Sequence, residues 1–509
     1  MAFFNNLGFD AHPFVKTNAD EEENLQEYFV PPPFFDAVIG DKNSPSPCIV
    51  LAPRGAGKTA QRIMVEKWSN KNQVLAISYD RFEFAKGQQL RDISLSYHCR
   101  NIIIRILVSY LSYLSDYPDL IKNLNSNLKR TLSIFVHSYL GNITGNELQN
   151  ILSELKSLPE KFKEFWKKNV GVLEPLINLL LKKFGIENID IPEIQQEQKK
   201  LSETYKHQLE ILLELIEKIG FKSIYILVDK VDESEKTGND SAKTYDLIQP
   251  MLKDLELLGL KGYGFKFFVW DKIEPLFRTE SRPDRVPQYQ LQWSRSLLEN
   301  MLSKRLSAFS KGKIKSFKQI VERSVSYNID SALCIMSNGS PRNLIRLCEK
   351  IISSQAEIDN SATLISSTAI NKATIDFSLQ LSIELYGNDI VRDLQHVGRE
   401  LFTINYLAND IFKLSHENTS RNKVAAWENK GLIRQIGSVH LERGKRPANF
   451  YYVCDPSVIR LQQQSVNFEL FFKDRWINCT NCNIDNLMDV ALFPIDNNPI
   501  CINCGASLF

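Results

Sequence analysis

The chain has 509 residues, more than one hydrophobic core usually serves, so three or more domains are expected. Hydrophobic residues make up 43% and charged residues 24%, the balance of an ordinary globular protein without low-complexity tracts. A formal net charge of +2 excludes a globally basic nucleic-acid binder and leaves room for a locally basic module. The opening MAFFNNLGFDAHPF lacks the basic start of a signal peptide, and the most apolar stretch, 102–114, is interrupted by Arg105 and too short to span a bilayer. A soluble, cytoplasmic protein with no membrane segment is expected. Of nine cysteines, Cys48, Cys99, Cys334, Cys348 and Cys454 stand in apolar contexts that suit reduced core thiols.

Five short apolar runs, at 48–52, 73–79, 223–229, 264–270 and 288–293, read as strands of a parallel sheet. The first four each lead into a loop or a helical pattern, the alternation of a doubly wound α/β fold. The second and third are separated by 80–222. From 94 to 201 that stretch has helical periodicity, broken near 142–145 and 185–192, and reads as an inserted helical subdomain: structural, or a surface for a protein partner. A helical pattern from 294 to 381 predicts a small lid. Residues 382–465 run helices into two apolar strands around the turn 444–449, and the remainder, 466–509, holds two CxxC pairs.

The loop Ala52-Pro53-Arg54-Gly55-Ala56-Gly57-Lys58-Thr59 follows the strand Ile49-Val50-Leu51 and opens a helix at 60–68. Glycines there let backbone N–H groups converge on phosphates, and the helix N-terminus adds its positive dipole end. Lys58 is placed to reach β- and γ-phosphates, and the Thr59 hydroxyl to ligate magnesium. Ala52 stands where a first glycine is usual. These features point to ATP with Mg2+ as cofactors.

A second element should be an apolar strand ending in an acid. Ser223-Ile224-Tyr225-Ile226-Leu227-Val228-Asp229 fits, with Asp229 placed for the magnesium shell. Lys230 follows where many ATPases carry glutamate, and the acids return as Asp232 and Glu233. That spacing resembles the D-x-h-D-E pattern of NACHT-type signal-transduction ATPases. Glu233 is the candidate general base and Asp232 the alternative, against a reading in which both merely cap the next helix.

Together these pieces resemble an AAA+/STAND-like ATPase, over roughly residues 1–355 without the insert. The FVPP-like lead-in and GPRGxGKT-like loop resemble a group of bacterial P-loop ATPases. The resemblance implies that 18–30 and Pro31-Pro32-Pro33-Phe34-Phe35 cover adenine, and that Asp271, at the end of the fourth strand, takes the γ-phosphate-sensing place usually held by Asn or Thr. It makes Arg285 and Arg282, before the fifth strand, candidate arginine fingers offered to a neighbouring subunit, hence a homo-oligomer. Gly339-Ser340-Pro341-Arg342-Asn343-Leu344 resembles the second sensor element of the origin-recognition initiators, so Arg342 would reach the γ-phosphate, with Pro341 in the first helical turn.

In the tail, a helix at 424–433 ended by Gly431, a strand at 439–442, the basic turn 444–449 and a strand at 450–453 give the order of a winged helix. Arg421, Lys423, Lys430, Arg434, Arg443, Lys445 and Arg446 outnumber Glu428 and Glu442, enough for a phosphate-contacting patch, although many winged helices bind protein instead. Cys479-x-x-Cys482 and Cys501-x-x-Cys504 are separated by 18 residues and read as a closed four-sulfur structural Zn2+ site, a zinc ribbon.

The expected fold class is α/β, a P-loop NTPase parallel sheet with helical insert and helical lid, followed by a winged helix and a C-terminal zinc ribbon. The expected domains are a lead-in (1–47), the ATPase core (48–93 and 202–293), the insert (94–201), the lid (294–381), a winged-helix-like domain (382–465) and the ribbon (466–509). Three functions follow: an ATP-driven switch acting on nucleic acid; a STAND-type sensor, for which antiviral defence is an analogy; and a nucleic-acid adaptor that binds ATP without turnover.

Overall fold

Valine, isoleucine, leucine and phenylalanine runs flanked by turn residues assemble into a five-stranded parallel sheet in the order β2-β3-β4-β1-β5. The strands are β1 Cys48–Ala52, β2 Val74–Tyr79, β3 Ser223–Val228, β4 Tyr263–Trp270 and β5 Gln288–Gln290. The computed structural model describes residues 3–84, 87–141, 143–155, 178, 181–182, 204–414, 416–439, 447–493 and 499–509. It divides into two compact units, 31–292 and 1–30 together with 293–509.

In the 31–292 unit the inner strands are covered on both faces, which is why they read as unbroken apolar runs rather than alternating ones. Ile49, Val50, Leu51, Phe265, Phe267 and Val269 are fully buried. Four strand ends differ from expectation, β4 by starting one residue earlier, at Tyr263. Gln73 holds φ at 61°, outside any strand, so β2 starts one residue later. β3 stops at Val228, although the Asp229 N–H still donates to Tyr79 O at 3.2 Å. β5 is a short, polar, half-exposed edge strand, and after one more bond, Leu291 N–H to Leu51 O, the chain leaves the sheet.

Helices Leu95–Asp116, Ser126–Leu140 and Gly145–Glu154 occupy the described part of the expected insert. The rest of that reading, including the break at 185–192, lies outside the described residues. These helices do not keep a core of their own: Ile102, Leu107, Leu132 and Leu148 pack in one apolar cluster with Ile77 and Ile226 of the sheet. Arg105, the charge that interrupts the apolar run, is buried against buried Glu154 at 2.6 Å and lies over the Tyr79 ring. Among the described residues no helix is long and apolar enough to cross a membrane.

His98 is sealed in the same region. The Leu247 carbonyl can only accept, so Nε2 (2.8 Å away) carries the proton, and Nδ1 accepts from the Tyr79 hydroxyl at 2.9 Å. Burial pushes its pKa down to about 4. A base whose folded pKa is depressed contributes stability that is present above its unfolded value, near 6.5, and is lost as pH falls toward 4. This unit should therefore lose about 2 kcal/mol through His98 between pH 7 and pH 5. Urea unfolding at both pH values, compared with His98→Gln, measures it. Equal pH slopes in the two proteins would remove the histidine from the account.

The other unit is helical and then antiparallel. Arg295–Phe309, Ile329–Met336, Pro341–Ile358 and Ser367–Tyr386 form the lid, and Asn388–Val397 leads on. Pro341 occupies the first turn, where its missing N–H costs nothing, and the Ser340 side chain accepts from Asn343 N–H. Residues 3–30 pack here. Phe3, Leu7, Phe9 and Phe14 are buried, and Arg305 binds Glu22 at 2.5 Å, so the expected 1–47 lead-in divides between the units at Val30.

The winged-helix order is present but larger than read. Its helix is Asn418–Asn429 and its first wing strand, β7, is Ile433–Val439, six residues earlier than expected, while β8 is Ala448–Val453. A third strand, β6 at Leu401–Thr403, pairs with the other edge of β8. The expected strand at 439–442 lies beyond Val439 outside the described residues, as does 444–446 of the turn.

Candidate nucleotide and metal sites

At the end of β1 the chain turns through Pro53 to Gly57 into the helix Lys58–Lys71. Gly55 and Gly57 hold φ at 76° and 93°, a region open to glycine without strain, and this curls the backbone into a cradle. Among the described residues no side chain caps the helix at Gly57, and a helix N-terminus of this kind suits an anion. Lys58 folds back over the loop, with Nζ 3.1 Å from Ala52 O and 3.3 Å from Pro53 O. Burial lowers its pKa, and the carboxylates of Asp232, Asp229, Asp271 and Glu233 oppose that shift. The four candidate site acids thus act electrostatically on the loop lysine.

Asp229 is 1% exposed, and burial raises its pKa against the pull of Arg62 and of a hydrogen bond from Thr59. Its Oδ1 accepts from Lys230 N–H at 2.9 Å. Lys230 then takes a left-handed φ of 55°, and a 3-10 turn, Val231–Glu233, follows. Within that turn the two acids part: Asp232 is 2% exposed and Glu233 faces solvent. Asp271 lies just past β4, with Oδ1 buried and without a hydrogen-bond partner among the described residues.

Two arginines do more than their sequence context announced. Arg54, expected only as part of the cradle, donates from Nε to Asp232 Oδ2 at 2.8 Å and from Nη2 to Asp232 O at 3.2 Å. Its guanidinium lies 4.5 Å from the centre of the Trp270 ring. Arg62 is buried, with Nε 3.2 Å from Asp229 Oδ2, Nη1 2.8 Å from Ser78 Oγ and 3.2 Å from Glu66, and Nη2 3.7 Å from Asp80. A signal was available: Thr59, Arg62 and Glu66 share one face of the helix, and that face turns to the sheet.

Arg285 is well exposed, 3.6 Å from Asp284, which also holds Arg282 by two hydrogen bonds. Phe34 stacks on Tyr289 of β5 with ring centres 5.1 Å apart. Arg342 stands half-buried in the first turn of Pro341–Ile358, in the other unit.

No protein-family profile and no curated protein matches this sequence. Similar solved structures include Cdc6p from Pyrobaculum aerophilum, with 10% identity, 91% of this chain and 98% of that chain covered, and a TM-score of 0.32. The ORC1 protein of Aeropyrum pernix in complex with DNA has 11% identity, 88% and 96% coverage and a TM-score of 0.34. The ORC2 protein of the same organism (ADPNP-ADP complexes) has 10%, 89% and 97%, and 0.39. Likeness at this level carries no argument about activity. The P-loop assignment rests on this chain's own parallel sheet, glycine turn and strand-end acid.

In the other unit, β9 (Trp476–Asn478) and β10 (Asp485–Leu487) form an antiparallel hairpin, and Ile500 bridges Ser507. The four sulfurs of Cys479, Cys482, Cys501 and Cys504 lie within 4.8 Å of one another. Cys479 Sγ is 3.7 Å from Cys504 Sγ, and Cys482 Sγ is 3.5 Å from Cys501 Sγ. Four thiolates about 2.3 Å from a tetrahedral zinc would be roughly 3.8 Å apart, whereas a disulfide needs about 2.05 Å. N–H donors also face the sulfurs: Asn503 N–H lies 3.4 Å from Cys501, and Asn481 Nδ2 lies 3.5 Å from Cys504. The Asn481 contact, with one from the Ala506 backbone, holds the Cys504 thiol down at about 6, toward the thiolate a metal needs. The residues fit a closed structural zinc site.

The basic residues around the winged helix are engaged locally. Arg421 binds Glu417 at 2.8 Å, Lys423 pairs with Asp393, Lys430 donates to Tyr386 O at 3.0 Å and Arg434 to Ile502 O at 2.5 Å. Arg443, Lys445 and Arg446, along with Glu442, lie outside the described residues.

Proposed function

We propose that this chain binds and hydrolyses ATP as a nucleotide-driven switch. The observation that carries the reading is the loop 52–59, closed by buried Lys58 and joined through Thr59 to the strand-end acid Asp229. The N–H groups from Gly55 to Thr59 would take the phosphates, and Lys58 would exchange its two loop carbonyls for β- and γ-phosphate oxygens. Thr59 and Asp229 would hold Mg2+, which would supply positive charge against that developing on the phosphates. Phe34 and Tyr289 offer a planar surface for adenine. Glu233 is the reading for the general base, because Asp232 is already committed to Arg54. Arg342 would meet the γ-phosphate, and Arg285 would meet that of a neighbouring copy in a homo-oligomer. The winged helix would contact nucleic acid through its wing, and the insert would meet a protein partner.

Glu233→Gln should keep ATP binding and lose about 10²- to 10⁴-fold in turnover, the usual contribution of a general base. Asp232→Asn should leave turnover within a fewfold and lower stability modestly, since it weakens a half-buried ion pair. Phosphate release by both variants, with and without DNA or RNA, decides the matter. Normal turnover in Glu233→Gln together with loss in Asp232→Asn would move the base to Asp232.

A second reading, a sensor in which ATP locks an on-state with slow turnover, is favoured by Lys230 in the usual glutamate position and by the Arg54–Asp232 clasp. The same assay separates it from an adaptor that binds ATP and never hydrolyses it.

A further inference from the structure

Arg62 has no part in the phosphate cradle, yet it is the residue best built into the site. It follows Lys58 by one helical turn and is 1% exposed. A carboxylate swings about its last torsion unless both oxygens are held. Lys230 N–H holds Asp229 Oδ1 at 2.9 Å, and Arg62 Nε holds Oδ2 at 3.2 Å. The guanidinium is itself fixed from three other directions, by Glu66, by Ser78 and by Asp80, the residue that follows β2. Only a planar fork with donors on separate nitrogens reaches four such partners, and the point charge of lysine does not.

We infer that Arg62 is a positioning residue for the magnesium acid: it sets the angle at which Asp229 presents oxygen to Mg2+ beside a bound nucleotide. This rests on the ATP reading above. A purely structural Arg62, needed only to neutralise Glu66 and Asp80, would affect stability and would not distinguish magnesium-free from magnesium-bound nucleotide. Partners that orient metal ligands typically cost 10- to 100-fold in metal affinity when removed, which sets the expected size of the effect.

The test is calorimetric titration of the full chain with ATP, in EDTA and in Mg2+, for wild type and Arg62→Lys. The ratio of the two dissociation constants reports how much magnesium tightens binding. In Arg62→Lys, which keeps the buried positive charge, that tightening should fall at least about tenfold, with affinity in EDTA unchanged within about twofold. An unchanged ratio overturns the inference, and so does an equal weakening under both conditions. Should Arg62→Lys fail to fold, Ser78→Ala, which frees the guanidinium to turn away from Asp229 while every charge remains, is measured against the same criterion. A wild-type protein that binds no ATP under either condition overturns the nucleotide reading itself, a result distinct from a wild type that binds and a variant that keeps its magnesium dependence.

Discussion

Lys58→Ala should weaken ATP binding by roughly a hundredfold or more and leave the 31–292 unit folded. The ammonium is seated directly on the loop, 3.1 Å and 3.3 Å from two of its carbonyls. Hydrogen bonds to charged groups contribute about 1.5–3 kcal/mol, and the lysine would make them to two phosphates in a partly desolvated cradle. About 3 kcal/mol corresponds to roughly a hundredfold in affinity. The fold should tolerate the change because burial already disfavours the charged form of Lys58 and one of the two carbonyls it leaves, that of Pro53, belongs to an exposed residue. Nucleotide titration by calorimetry, with thermal unfolding as the control for folding, gives the answer. Full affinity in a folded Lys58→Ala protein would withdraw the loop's assignment.

Loss of zinc should have the second large effect. Native protein should carry one zinc per chain, and Cys479→Ser/Cys482→Ser should carry none. The hairpin that carries the knuckles has strands of only three residues, too short to hold them unaided, so metal binding supplies the ribbon's folding free energy, on the order of 10 kcal/mol for sites of this type. The consequence should spread through the unit formed by 1–30 and 293–509, because the ribbon is built into that core. Cys479, Leu487, Met488 and Leu508 share an apolar cluster with Trp427, Tyr452 and Val458. Asp485 binds Arg295 of the first lid helix at 3.4 Å, and Tyr452 donates to Leu487 O at 2.9 Å. Elemental analysis and thermal unfolding of the double variant should show metal lost and this unit melting early, while nucleotide binding by the 31–292 unit persists. Metal well below one equivalent in fresh native protein, with the tail folded, would assign these cysteines another role.

The glycine loop and the four-cysteine cluster were both legible because each is written within short segments. The loop 52–59 needs only a strand before it and a helix after it, and Gly55 and Gly57 sit at the positive φ values their identity allows. Two CxxC knuckles bring their sulfurs together through local turns, and Pro341 marks a helix start wherever that helix packs. Strands β1 to β4 were readable for a related reason, since burial on both faces leaves an unbroken apolar run.

What the sequence concealed lies in pairings between segments far apart in the chain. Arg54 and Asp232 are 178 positions apart, Arg62 and Asp229 167, so no periodicity relates them. Arg62, Glu66, Asp80 and Arg105 carry charges that a sequence reading assigns to solvent by default, and only the assembled fold could bury the first three against one another and Arg105 against Glu154. β6 is three residues long, too short for a period of two to show, and exists because β8 offers it an edge. The same holds for the two acids of the turn Val231–Glu233. They are adjacent in sequence and alike in chemistry, and their difference, one buried under Arg54 and one in water, was decided by which face of that turn met the loop at the end of β1.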